Sequence, residues 1–214
     1  MKKIKGVIYD LDGTIILTQK LHEDAWIYAA EKFGISLTKE MSLNQRGISN
    51  EVSALAMLPN NKNNLINDFI KAKNNYVKDN IGQVTIFPNI IETIEKLINR
   101  DINVWICTSA NKGFIKKVLN ILPSLKKYNI IWRELYEEEK PSPEALNLTI
   151  KKMGLDNNQV IYVGDALNDY NTSINARVEF IYFCPKENTK DVRMPNNIFT
   201  ISNHKDIFNL LEKF

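Results

Sequence analysis

The sequence predicts an α/β protein: a doubly wound parallel sheet with a small, all-helical domain inserted after its first strand. Three features carry this reading. Short β-branched or aromatic runs recur along the chain at Ile4 to Tyr9, Asn103 to Cys107, Asn129 to Trp132, Val160 to Val163 and Phe180 to Phe183, and they lack the polar alternation of a half-exposed sheet. Amphipathic helical patterns separate these runs, the arrangement that a parallel sheet covered on both faces requires. Between about Leu21 and Val77 the rhythm breaks, and only helical patterns occur.

The elements follow in chain order. In the insert, Ala25, Trp26, Ala29, Ala30 and Phe33 form one helical stripe closed by Gly34. A second stripe of Val52, Leu55, Ala56 and Leu58 stops at Pro59, and a third runs through Leu65, Ile66, Phe69, Ile70, Tyr76 and Val77. Polar PNNKNN, residues 59–64, reads as the loop between the last two. The later helices show three-or-four spacing at Ile90, Ile91, Ile94, Leu97 and Ile98, at Phe114, Ile115, Val118 and Leu119, and at Ala145, Leu146, Ile150 and Met153. Ser142 and Pro143 supply an N-cap and a first-turn proline for the last of these, and Gly154 supplies its stop. Residues 1–17 and 82–214 are therefore expected to form the α/β core and residues 18–81 a helical cap over the end of the first strand.

Composition excludes several functions. The chain has 214 residues, 25% charged and 44% hydrophobic, the mix of an ordinary globular protein with room for a sizeable core. Its net charge of +3 is dispersed over many lysines, without the basic stripe of a nucleic-acid surface. No apolar stretch reaches ~18 residues, so no membrane span is expected. The basic start MKKIKGVIYD is cut short at Asp10 before a secretory apolar segment can form. Cys107 and Cys184 are isolated, and both read as reduced packing residues of a cytoplasmic protein; monomer is the expected state.

In open parallel sheets ligands bind beyond the carboxyl ends of the strands, so the residues just after each apolar run are informative. Asp10 and Asp12 follow the first; extended backbone turns both to one side, with Cα atoms ~7 Å apart. Such crowding is useful if a cation binds there, or if one carboxylate attacks while the other carries a proton. The plainer alternative is a strand ending in an Asp/Gly turn. Thr108 and Ser109 follow VWIC, Lys140 follows NIIW across an acidic stretch and is held extended by Pro141, and Asp165 and Asp169 follow VIYV. Each also has a structural alternative: strand-end satisfaction for Thr108, a solvated surface position for Lys140, helix capping for the aspartates. Together they offer oxygen ligands for a hard cation, hydroxyl donors and an ammonium, which fits Mg²⁺-assisted phosphoryl transfer.

DLDGT at 10–14, Thr108 in VWICTS, Lys140 in KPSPEAL and GDALND at 164–169 match, in order and spacing, the four motifs of the haloacid dehalogenase-like hydrolase superfamily, which this chain resembles over nearly its whole length. HEDAW at 22–26, RGIS at 46–49 and IFPNI at 86–90 resemble the small-helical-cap branch that holds β-phosphoglucomutases and sugar-phosphate phosphatases. The resemblance implies a Rossmann-like core and a Mg²⁺-dependent phosphatase of a small phosphorylated metabolite. It makes Asp10 the nucleophile that becomes an aspartyl phosphate and Asp12 the acid and base. It places Mg²⁺ on Asp10, the Asp12 carbonyl and Asp165, with Asp169 in or near that shell, and gives Thr108, Ser109 and Lys140 to the phosphoryl group. His22, Arg46 and Asn111 are candidate substrate contacts.

The chain departs from the pattern at two places. Arg177 stands where a glycine usually ends the helix after GDALND, which implies a different exit or strain. Asn50 stands where mutases carry a phosphate-gripping arginine, and Thr14 is the residue typical of phosphatases, so both weigh against a phosphosugar mutase, the main alternative. A dehalogenase would lack Asp12. A phosphonate-cleaving enzyme would need a cap lysine, and nothing singles out Lys62, Lys71 or Lys73. A phospho-receiver module would be shorter and uncapped, and a catalytically dead binding protein would not have every chemical position filled.

Overall fold

The computed structural model describes residues 3–38, 41, 49–186, 191 and 193–214. The chain divides into two compact units, residues 1–17 with 85–214, and residues 18–84.

The first unit is built on a six-stranded sheet. Its strands are β1 (Gly6–Tyr9), β4 (Asn103–Cys107), β5 (Asn129–Ile131), β6 (Val160–Gly164), β7 (Glu179–Phe183) and β8 (Phe199–Ile201). Their spatial order is β5-β4-β1-β6-β7-β8, with every neighbouring pair parallel. β1 lies between β4 and β6, with Tyr9 in register with Ile106 on one side and Val163 on the other. Chain order reverses at β1, so this is the switch point where a crevice opens beyond the carboxyl ends of the strands. Val7, Ile8, Tyr9, Ile161, Tyr162 and Val163 are all fully buried, as strands covered on both faces must be.

Helices α4 (Ile90–Ile98), α5 (Lys112–Ile121), α6 (Glu144–Met153), α7 (Leu167–Ala176) and α8 (Ile207–Leu211) accompany this sheet. α4 buries Ile90, Ile94 and Leu97 as its spacing predicts. α6 starts one residue later than the sequence suggests: Pro143 is at the cap, the Ser142 hydroxyl accepts the Glu144 N–H at 3.3 Å, and Gly154 ends the helix with φ +68°. Arg177 ends α7 in the same left-handed conformation, φ +56°. The exit is thus the usual one, and the cost falls on a residue with a Cβ. Two short strands that the sequence reading missed, β2 (Ile16–Leu17) and β3 (Thr85–Ile86), pair antiparallel, Ile16 with Ile86. β8 was missed as well, three residues being too few to show a period.

The second unit contains α1 (Gln19–Lys32), α2 (Asn50–Met57) and α3 (Ile66–Asn80). Its core joins Trp26, Ala29, Ala30, Ala54, Met57, Leu58, Phe69 and Ala72, with the Trp26 and Phe69 rings 5.5 Å apart. Here one expectation needs correction. Val52 and Leu55 are 55% and 50% exposed, and α2 instead buries Ser53, Ala54 and Met57. An eight-residue helix can turn either of two stripes inward, and small side chains on the inner one allow close approach to its neighbours. No helix among the described residues is long and apolar enough to cross a membrane.

His204 sits in the core of the first unit, 1% exposed and stacked on Phe183 at 4.0 Å. Burial pushes its pKa down to about 4, only partly opposed by the Thr14 backbone, so the folded protein holds it neutral while the unfolded chain protonates near 6.5. Its contribution is therefore present above pH 6.5 and lost as pH falls toward 4. Stability is expected to drop by about 2 kcal/mol between pH 7 and pH 5 through this residue. Denaturant titrations of wild type and His204→Phe would measure it: the variant should lose that part of the pH slope, and an identical slope would assign it elsewhere.

Candidate active site

Asp10 is the first residue beyond β1, 7% exposed, its N–H donating to the Val163 carbonyl at 2.8 Å. The turn that follows folds back on itself: the Leu11 carbonyl accepts from Thr14, Ile15 and Ile16, and the Gly13 N–H donates to the Ile16 carbonyl. Gly13 has φ +78°, and a Cβ there would collide with the Asp165 carboxylate. Glycine is required on both counts. Asp12 is half-buried and bridges to Ile16 through its backbone. Thr14, fully buried, donates its hydroxyl to Asp165 Oδ1 at 3.2 Å.

Lys140 approaches from the loop after β5. Its side chain is only 8% exposed, which disposes of the solvated alternative. The ammonium donates to Asp10 Oδ1 at 2.7 Å, Asp169 Oδ1 at 2.7 Å and the Tyr162 hydroxyl at 2.6 Å. The preceding acidic stretch is clamped in place. Arg133 donates to the carbonyls of Tyr136 and Glu137 and to the Glu139 carboxylate, and the Glu144 carboxylate accepts the N–H groups of Glu137 and Glu138. The Lys140–Pro141 peptide bond is cis.

Asp169, in the first turn of α7, accepts from Lys140 and from Tyr162 at Oδ1 and from the Ala166 N–H at Oδ2. Gly164 lies against it, and a Cβ there would come within 2.6 Å of Asp169 atoms. Thr108, 1% exposed, follows β4; its hydroxyl accepts the Ala110 N–H at 3.0 Å. Ser109 beside it is exposed. Asn111 caps α5, its side-chain oxygen accepting the Phe114 N–H at 2.8 Å. His22 belongs to α1 of the helical unit, and Arg46 lies outside the described residues.

Carboxylate oxygens of Asp10, Asp165 and Asp169 lie within 4.8 Å of one another. The crowding has an electrostatic signature. Burial, then the neighbouring charges of Asp169 and Asp12, push Asp10 up to about 7 against the pull of Lys140. Burial with Asp169 and Asp10 raises Asp165 well above the usual carboxylate range. Burial alone would lower Lys140, but Asp10 and Asp169 outweigh it and hold the ammonium charged. Three carboxylates thus face one ammonium, and a hard divalent cation held by oxygen would relieve the remaining repulsion. Asp10 and Asp165 are the donors best placed for it, because protein donors already engage both oxygens of Asp169. Cys107 is no rival nucleophile: burial pushes its thiol up to about 11.

Sequence reasoning missed Tyr162, Arg133 and Glu144. Tyr162 had one available signal, a phenol on an otherwise aliphatic central strand, since a buried hydroxyl there needs a polar partner.

Buried acids and a lysine at a switch point of a parallel sheet are the groups that phosphoryl transfer uses. Residues 7–183 match the model of the haloacid dehalogenase-like hydrolase family, and the chain belongs to that family. Among curated relatives, pyrophosphatase PpaX of Oceanobacillus iheyensis is 23% identical over 177 residues, spanning 82% of this chain and 81% of its own. A phosphoglycolate phosphatase of Aliivibrio fischeri is 26% identical over 178 residues, 78% of each chain. Among solved structures, β-phosphoglucomutase from Clostridium difficile superposes with a TM-score of 0.80 at 25% identity, covering 98% of this chain and 96% of that one. A protein described as a predicted phosphoglycolate phosphatase from Haemophilus somnus gives 0.82 at 17% identity, covering 98% and 99%.

Replacing Gly13 tests how the turn holds Asp165. Gly13→Ala should destabilise the protein by about 1–3 kcal/mol, because the added Cβ collides with the Asp165 carboxylate and meets a left-handed backbone. Denaturant titration measures it, and an unchanged midpoint would mean that Asp165 gives way without cost.

Proposed function

We propose that the chain is a Mg²⁺-dependent phosphatase that hydrolyses a small phosphorylated metabolite through an aspartyl phosphate on Asp10. The observation that carries this reading is the ion pair of Asp10 with the buried Lys140 beside Asp165, at the mouth of the central strand. An ammonium at 2.7 Å favours the carboxylate form that a nucleophile needs and offers positive charge where phosphoryl oxygens gather. The family membership and the phosphatases among the relatives support the same reading.

In the first half-reaction an Asp10 carboxylate oxygen forms the bond to phosphorus, the bond to the ester oxygen breaks, and Asp12 passes a proton to that oxygen. In the second, Asp12 takes a proton from water, the water oxygen bonds to phosphorus, and the bond to Asp10 breaks to release phosphate. The Thr108–Ser109 strand end holds the phosphoryl oxygens, and the Lys140 ammonium, its three N–H groups directed to protein acceptors, offsets their charge. Asp10, Asp165 and the Asp12 carbonyl would hold Mg²⁺, which when bound offsets phosphoryl charge and aligns the attacking carboxylate. The helical unit, with His22 and Arg46, is assigned to substrate choice.

A mutase reading draws on the likeness to β-phosphoglucomutase. Position 50 speaks against it: Asn50 replaces the expected arginine, and its side-chain oxygen accepts from Lys73 at 2.9 Å.

The test is phosphate release from a panel of phosphorylated sugars, short acids, nucleotides and pyrophosphate, with Mg²⁺ and with chelator. Release should require the metal and fall to background in Asp10→Asn. Isomerisation of a sugar phosphate that depends on a bisphosphate and frees little phosphate would install the mutase instead.

A further inference from the structure

We infer that Tyr162 is a positioning residue for phosphoryl transfer, fixing the direction of the Lys140 ammonium through its hydroxyl; this rests on the phosphatase reading above.

A lysine ammonium has three N–H donors and no acceptor. At Lys140 all three are assigned: Asp10 Oδ1, Asp169 Oδ1 and Tyr162 Oη, at 2.7, 2.7 and 2.6 Å. The Tyr162 hydroxyl in turn donates to Asp169 Oδ1 at 2.7 Å. Ammonium, phenol and carboxylate thus close a three-membered ring of hydrogen bonds. The ring has one orientation only, since the phenol must accept from Lys140 if its proton goes to Asp169. Two of the three N–H groups are therefore committed to the ring, and the third is aimed at Asp10.

The ring has a rigid foundation. Tyr162 is fully buried on β6, paired with Ile8 of β1 on one side and Phe180 of β7 on the other. Its ring lies 5.4 Å from the ammonium and 6.0 Å from the Phe180 ring. A flexible four-carbon stem would otherwise let the ammonium wander over several acceptors. Placing the anchor on the central sheet ties the direction of Lys140 to the strand that precedes Asp165. The aromatic bulk alone would be supplied by phenylalanine, so the hydroxyl is the feature that needs a purpose.

The consequence is selective. Ground-state binding of a phosphate group uses the net positive charge, which the phenol does not change. The transition state needs that charge at a defined point as the bond to Asp10 forms, and small misplacement there is costly.

Tyr162→Phe removes one oxygen and keeps the shape. On the best ester of the panel, kcat should fall about 10-fold with KM within about twofold of wild type. Calorimetry in Mg²⁺ gives a readout free of turnover: affinity for orthovanadate, which adopts the five-coordinate geometry of transfer, should fall about 10-fold while affinity for inorganic phosphate stays within about twofold. Asp169→Asn, which disturbs the same ring, should be non-additive with Tyr162→Phe in kcat. Mere loss of stability would lower the active fraction for both ligands alike. Unchanged kcat and vanadate affinity, or equal losses for vanadate and phosphate, would overturn the assignment. A wild-type protein that neither releases phosphate nor binds vanadate would overturn the phosphatase reading itself, and this inference with it.

Discussion

The interaction on which the active end of the molecule depends is the buried ammonium of Lys140, held between Asp10 and Asp169. Taking these charges out of water costs several kcal/mol per ion, and a well-packed apolar cluster would often serve stability equally well. Losing one partner from such a group is far worse, because the others are left charged and dry. The site is thus committed to all its members at once. Lys140 joins the end of β1 to the first turn of α7 through two carboxylates, and Tyr162 adds β6 to the same point.

The rest of the first unit can be understood as what brings that lysine and those acids together. Parallel strands in the order β5-β4-β1-β6-β7-β8 set Asp10, Thr108 and Asp165 at neighbouring strand ends, with no long loop needed to gather them. Lys140 is the exception, since eight residues lie between it and the end of β5. That distance is made rigid by the Arg133 and Glu144 clamps, whose acceptors and donors are mostly backbone groups. Glycine does the remaining fitting, at Gly13 against Asp165 and at Gly164 against Asp169.

Much of this was legible in the sequence, for a physical reason. VIYV is buried on both faces, and VWIC is so apart from its half-buried Trp105, so their composition marks them as central strands, and the polar residue after each is placed by topology. Asp10, Thr108 and Asp165 were placed at strand ends that way, and Lys140 was placed beyond the acidic stretch that follows β5. What escaped depended on contacts between residues remote in sequence. Tyr162 looked like one more apolar strand residue until Lys140 and Asp169 closed on its hydroxyl. The face of α2 was misread because two stripes of an eight-residue helix competed, and only the packing of Ala54 and Met57 with Phe69 decides between them. Arg177 was read as implying a different exit or strain, and the second holds: the backbone keeps the left-handed turn with a residue that carries a Cβ, since the hydrogen bonds that close α7 come from the main chain.

The second unit is inserted at one place in the chain of the first. Its two ends leave the α/β unit through β2 and β3, which pair Ile16 with Ile86 and Leu17 with Thr85, and Phe87 N–H donates to the Ile15 carbonyl. Pinning the ends side by side makes the entropic cost of the insert depend only weakly on its length, and its own Trp26–Phe69 core offsets the ordering of its residues. Asp10, Thr108, Lys140, Tyr162, Asp165 and Asp169 all belong to the α/β unit. Among the described residues, the strand pairing of the frame on which the proposed chemistry rests does not pass through residues 18–84. Side chains of the insert carry none of these groups, while the ammonium and its acids are held where the sheet puts them.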